Sequence, residues 1–227
     1  MSWDRWIRTV EVEPSVYAAD FSRLGDQVEI LLRCGARVFH FDIGDAHFVD
    51  PVTIGPVVLR SIAPLVHREG GVLDCHLMVD EPEHHFGGLQ SAGADSVTFH
   101  FEATDDPART ASLARQHGLG VGMSFVPETP VEDAAAAALA AGVDLVLCMT
   151  IHPGYSGQET LPESYERVAR LRELLPETVF VQVDGGVHLG NVGRLRAAGA
   201  QLLVAGAAVF GTDDPGEAYV ALARAAQ

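Results

Sequence analysis

The sequence predicts an α/β fold of the (β/α)8 type, a TIM barrel, on three observations. Eight short, β-rich apolar runs alternate with eight helical patterns. The chain has 227 residues, and a barrel of eight βα units takes ~200–250 residues or more. Four junctions, "CGAR" (34–37), "AGAD" (92–95), "AGVD" (141–144) and "AGAQ" (198–201), place a glycine where a helix should end just before the next strand. Glycine accepts the left-handed cap conformation at no steric cost.

The strand runs, in order, are "VEPSV" (12–16), "RVFHFDI" (37–43), "VLDCHLMV" (72–79), "DSVTFHF" (95–101), "LGVGMSFV" (119–126), "DLVLCMT" (144–150), "TVFVQVD" (178–184) and "QLLVAGA" (201–207). The helical segments between and after them fall near 20–34, 55–66, 82–92, 107–117, 130–141, 160–175, 189–198 and 214–226. Strict alternation calls for a parallel sheet, because each parallel crossover needs a dozen or more residues. A doubly wound open sheet is the rival, but its glycine-rich fingerprint after the first strand is missing. No linker or composition shift divides the chain, so residues 1–227 read as one barrel domain.

Composition narrows the function. The net charge is −16, from 15 basic and 31 acidic residues, which argues against nucleic acid and anionic membrane as partners. The N-terminal "MSWDRWIRTV" lacks the apolar core of a signal peptide. The most apolar window, 134–151, is broken by Gly142 and Asp144 and reads as a helix followed by a strand. Cys34, Cys75 and Cys148 are scattered in apolar segments and read as reduced core thiols of a cytoplasmic protein. All fifteen basic residues are arginine. Schiff-base chemistry, which needs a lysine amine, is therefore excluded.

The chemistry gathers at strand ends. Alternate strand residues share a face, so His40 and Asp42 point the same way at the end of the second strand. His76 ends the third and Asp184 the seventh. In a barrel these ends meet at the rim where active sites lie. Two imidazoles and two carboxylates there suit a divalent transition metal, Zn, Fe, Mn or Co. His100, in "TFHFE", reads as a hydrogen-bonded core residue. Glycine-rich loops follow strand six ("HPGYSGQ", 152–158), strand seven ("DGG", 184–186) and strand eight ("AGAAVFG", 205–211). Such loops let backbone amides approach an anion such as phosphate, and with no lysine or arginine in them the amides would do most of the binding. A metal bridging the two oxygens of an α-hydroxy ketone stabilises an enediolate. Asp42 and Asp184 on opposite sides of the carbon can then exchange its proton.

"EPSVYAADF" (13–21), "HFDIGDAHFV" (40–49), "TIGP" (53–56), "DCHLMV" (74–79), "MTIHPGYSGQ" (149–158), "VDGG" (183–186) and "VAGAAVFG" (204–211) carry a resemblance over nearly the whole chain. In order and spacing the chain resembles the ribulose-phosphate 3-epimerase family. The resemblance implies a ribulose-phosphate-binding barrel that interconverts ketose phosphates epimeric at C3. D-ribulose 5-phosphate and D-xylulose 5-phosphate are the first pair to test. It implies one divalent metal per subunit on His40, Asp42, His76 and Asp184, with Asp42 and Asp184 as the acid/base pair. It implies substrate contacts at Ser15, His76, Met78 and Met149, and phosphate contacts at Gly154, Gly157, Gly185, Gly186, Gly206 and Ala207. A homo-oligomer, dimer or hexamer, is expected by the same resemblance, and Asp45 matches a supporting aspartate.

The chain also departs from the family pattern. Gly44 stands for a methionine, Ala46 for a glycine, and Asp50–Pro51 for Pro–Asn. Tyr17–Ala18 replaces an aliphatic residue and a serine. His152 replaces an asparagine or aspartate, Ser156 a smaller residue, and Ala207 a hydroxyl residue. Loss of the methionine is expected to thin the apolar cover over the substrate. A lost phosphate hydrogen bond costs about 1–3 kcal/mol if nothing replaces it. These changes spare the metal and acid/base set and leave a second reading, a paralogue acting on another sugar phosphate. A third, a barrel kept only for binding, would be expected to have lost ligands that this chain retains.

Overall fold

In the computed structural model, which describes residues 3, 6, 7, 9–155 and 157–227, every expected strand is present. They are β1 (Glu11–Pro14), β2 (Val38–Gly44), β3 (Val72–Met78), β4 (Ser96–His100), β5 (Gly120–Phe125), β6 (Leu145–Met149), β7 (Phe180–Asp184) and β8 (Leu202–Ala205). All neighbours pair parallel in the order β1-β8-β7-β6-β5-β4-β3-β2. The two edge strands meet at a bridge between Ser15 and His40, so the sheet curls into a nearly closed barrel. Ser156 and much of the N-terminal stretch lie outside the described residues.

Helices return the chain between strands: α1 (Leu24–Arg33), α2 (Pro56–Arg68), α3 (Phe86–Ala92), α4 (Pro107–Gln116), α5 (Val131–Ala141), α6 (Ser164–Leu174), α7 (Val192–Ala197), the short α8 (Ala207–Phe210) and α9 (Pro215–Ala225). Their ends follow local chemistry. Proline opens α2, α4 and α9, where its missing N–H costs nothing. Asp106 and Asp214 cap α4 and α9 by accepting from Arg109 N and Glu217 N at 3.0 Å. The four cap glycines, Gly35, Gly93, Gly142 and Gly199, have φ of +98°, +106°, +60° and +115°.

Several boundaries differ from expectation, three of them with a clear local cause. Residues 21–23 form a 3-10 turn held by Asp20 rather than the first turn of α1. Helix α6 begins at Ser164, not near 160, because Leu161 N donates to Thr150 O and Thr160 Oγ1 to the Gly185 and Gly186 carbonyls. The last strand ends at Ala205, and Ala207 starts α8 after a turn at Gly206.

Strand alternation sorts the core into two zones. Phe39, Phe41 and Ile43 of β2, and Leu73, Cys75 and Leu77 of β3, face the helices. Val38 and Val72 face inward, where Trp3, Leu145, Leu147 and Leu202 fill one end of the barrel. The inward positions further along the same strands, His40, Asp42, Asp74 and His76, are polar and buried. Toward the strand starts the interior is thus mainly apolar, Glu11 and Ser96 excepted, and its cluster of histidines and acids lies toward the strand ends, where function is expected. Among the described residues no helix is long and apolar enough to cross a membrane.

Candidate active site

Strands β2, β3 and β7 bring the four expected side chains together. His40 Nε2 lies 3.2 Å from Asp42 Oδ1 and 3.9 Å from Asp184 Oδ2. His76 Nδ1 lies 3.1 Å from Asp42 Oδ1 and 3.8 Å from Asp184 Oδ2. One donor atom from each residue falls within 4.8 Å of all the others. Ligands at ~2.0–2.2 Å around one tetrahedral centre stand about 3.3–3.6 Å apart, so the set fits a divalent cation.

Two further observations support that fit. Both ring nitrogens of His40 are buried without a hydrogen-bond partner, which is costly unless something else engages them. Four carboxyl groups, Glu13, Asp42, Asp74 and Asp184, also surround this one imidazole, with Asp74 Oδ2 at 3.4 Å and Glu13 Oε2 at 3.8 Å from Nδ1. Such a cluster calls for positive charge. Asp74 is itself held by Ser96 Oγ at 2.7 Å and Gln182 Nε2 at 3.1 Å. It therefore orients the far side of His40.

The electrostatics split the two acids. Burial opposes charge on Asp42, but the His40 and His76 imidazoles beside it hold its carboxyl far below the ordinary range. Burial and the Asp42 charge push Asp184 up to about 7. Ser15 Oγ donates to Asp42 Oδ2 at 2.5 Å. Burial pushes the His40 ring down, yet the Asp42 and Asp74 carboxylates more than reverse this and raise it.

A cleft of about 450 Å³ opens over the acids and is lined by Ser15, Asp42, Met78, Met149 and Asp184. Gly154, Gly157, Gly185, Gly186, Gly206 and Ala207 line it too, as do Tyr17, Glu159 and His188. His40 and His76 are fully buried. Sequence reasoning missed the clamps behind the glycines. Thr150 Oγ1 donates to the carbonyls of Asp184 and Gly185, and Asn191 Nδ2 to that of Gly186 at 2.9 Å. In a trans peptide the N–H points opposite its carbonyl. The Gly186 and Val187 amides therefore turn away from these clamps. Thr160 and Asn191 lie in no quoted motif, and Thr150, though inside "MTIHPGYSGQ", is assigned no role there; their long-range contacts reveal the clamps.

At the start of the β2–α2 loop Gly44 is tightly enclosed. A Cβ there would lie 2.8 Å from Val49 Cγ2 and 2.9 Å from Pro51 O, so residues 49–51 occupy that space. Thr53 Oγ1 accepts from Gly44 N at 2.6 Å and donates to Asp42 O at 2.8 Å, clasping the loop to the strand end. Gly44→Met should force this loop outward and cost about 1–3 kcal/mol or more, readable as a lower denaturant midpoint. Ala46 keeps the left-handed backbone of the glycine it replaces, at φ +62°. Ala46→Gly should therefore raise stability by about 1 kcal/mol, measured by thermal unfolding. Asp45 anchors the loop by accepting from His47 N, Phe48 N and Asp80 N at 2.8–2.9 Å.

With this geometry in place, comparison with known proteins decides the family. The description "Ribulose-phosphate 3 epimerase family" matches residues 11–210. The chain belongs to the ribulose-phosphate 3-epimerase family. Proteins named ribulose-phosphate 3-epimerase are 40% identical in Schizosaccharomyces pombe, over 91% of this chain and 90% of that one. In Escherichia coli K12 the identity is 37%, over 89% and 90%. In Mycobacterium bovis it is 38%, over 95% and 92%. A 3-hexulose-6-phosphate synthase from Salmonella typhimurium superposes with a TM-score of 0.72 at 13% identity, over 95% of this chain and 98% of that one. That likeness shows the shared barrel fold alone. Membership in the epimerase family makes the chain an isomerase-class enzyme.

Proposed function

We propose that the chain interconverts ketose phosphates epimeric at C3, D-ribulose 5-phosphate and D-xylulose 5-phosphate foremost, with one divalent metal per subunit. The observation that carries this is the split acid pair, Asp42 and Asp184, on separate strands beside two histidines. A Zn, Fe, Mn or Co ion held by His40, Asp42, His76 and Asp184 supplies Lewis-acid stabilisation of the negative charge that develops on the substrate oxygens.

The chain's own residues do the rest. Asp42 takes the C3 proton from one face and Asp184 returns a proton from the other, and the carbon inverts. In the reverse direction the roles exchange. The Ser15 hydroxyl holds the Asp42 carboxylate in place. Met78 and Met149 give the reacting carbons an apolar wall that excludes water. The amides of Gly186 and Val187, with Gly154, Gly157, Gly185, Gly206 and Ala207 around them, receive the phosphate.

A second reading, another sugar phosphate, is favoured by one feature: Tyr17, Glu159 and the hydroxyl-free Ala207 all line the cleft. A panel of phosphorylated and unphosphorylated pentuloses and hexuloses separates the two. Highest kcat/KM on D-ribulose 5-phosphate supports the first reading. Highest kcat/KM on a hexulose 6-phosphate or a free ketose replaces it.

A further inference from the structure

His76 has a second nitrogen that the proposed reaction does not use, and it leads into a buried chain of polar groups. Its Nε2 stands 2.9 Å from His100 Nε2. On the far side of that ring, His100 Nδ1 stands 3.3 Å from Glu102 Oε2. The other oxygen of Glu102 accepts from Val126 N at 3.0 Å and from Thr129 Oγ1, which ties it to the loop after β5. Phe48 covers His100 with ring centroids 4.6 Å apart. Both histidines are fully buried, so water does not substitute for these partners.

We propose that His100 and Glu102 are positioning residues that lock His76 in the one tautomer able to offer Nδ1 to a cation. This rests on the metal-site reading above. Two facing nitrogens 2.9 Å apart share a single hydrogen. If His76 carries it on Nε2, His100 accepts, keeps its own hydrogen on Nδ1 and donates that to Glu102. His76 Nδ1 is then a bare lone pair facing Asp42 Oδ1 at 3.1 Å and Asp184 Oδ2 at 3.8 Å, acceptors that a cation between them satisfies. In the opposite arrangement His100 donates from Nε2. Its Nδ1 lone pair then faces the Glu102 carboxylate, acceptor against acceptor, and His76 carries a hydrogen at the ligand position. That hydrogen would meet Asp42 Oδ1, so Asp42 favours this second arrangement and Glu102 the first; a cation at Nδ1 leaves only the first. The pair acts through His76 and touches neither cation nor substrate.

Two measurements on the full chain test this. The first is zinc affinity by chelator competition for wild type, His100→Phe and His100→Gln, with circular dichroism as the check on folding. His100→Phe removes the acceptor, and affinity should fall about 10–100-fold, as for other partners of metal-binding histidines. His100→Gln restores an acceptor oxygen and should recover much of that loss. The second is the tautomer of His76 and His100 in zinc-loaded, 15N-histidine-labelled wild type, read from two-bond nitrogen–proton correlations, which needs no variant to fold. Hydrogen on Nε2 of His76 and Nδ1 of His100 is the expected pattern. Hydrogen on His100 Nε2 in the zinc-loaded protein, or zinc binding unchanged in a folded His100→Phe, overturns the relay. Wild type that binds no zinc overturns the metal-site reading and the relay with it, so the two failures are distinguishable.

Discussion

Asp184→Asn should slow inversion at C3 by about 10²–10⁴-fold, the usual worth of a positioned proton donor or acceptor. The amide keeps the size of the carboxyl but neither takes nor gives a proton. The loss should be asymmetric. The epimer whose C3 hydrogen faces Asp42 should still exchange that hydrogen with solvent, while inversion is lost. The other epimer should lose exchange as well. Metal content measured on the same sample separates a missing acid from a missing ligand. Near-normal turnover would reject the role of Asp184, and exchange retained equally in both epimers would reject the assignment of one face to each aspartate.

Stripping metal with a chelator should abolish turnover and lower thermal stability together. The stability effect follows from mass action: a cation 1,000-fold above its Kd stabilises the folded form by about 4 kcal/mol. It is sharpened here because Glu13, Asp42, Asp74 and Asp184 crowd one imidazole, and burial already pushes Glu13 up, with the Asp74 charge adding to it. Adding back Zn, Mn, Co or Fe(II) should restore both, and the ranking by restored kcat identifies the working metal. Full activity in protein shown to be metal-free would contradict the role given to His40 and His76.

Much of this was readable from residues alone because the signals are local. Strand periodicity fixes that His40 and Asp42 share a face, and helix-terminal glycines such as Gly93 mark where the chain turns into the next strand. The parallel register then aligns Asp42 with His76 across β2 and β3. The close packing at Gly44 was not legible, because it depends on a clasp to Thr53, nine residues on, that no periodicity encodes. His100 is the hydrogen-bonded core histidine its own strand suggests, but its partners come from β3 and from beyond its own strand end. The Thr150 and Asn191 clamps are invisible for the same reason: hydroxyl and amide side chains are common, and only the fold says which carbonyls they reach.

The claim at the centre is that one carbon, C3, exchanges its proton between two carboxyl groups on opposite faces. Turnover of D-ribulose 5-phosphate in D2O, sampled early and analysed by proton NMR, tests it most directly. The account predicts D-xylulose 5-phosphate with deuterium at C3, none at C1, and C3 hydrogen still present in the remaining substrate. Product that forms without deuterium at C3, or that carries it at C1, would contradict it.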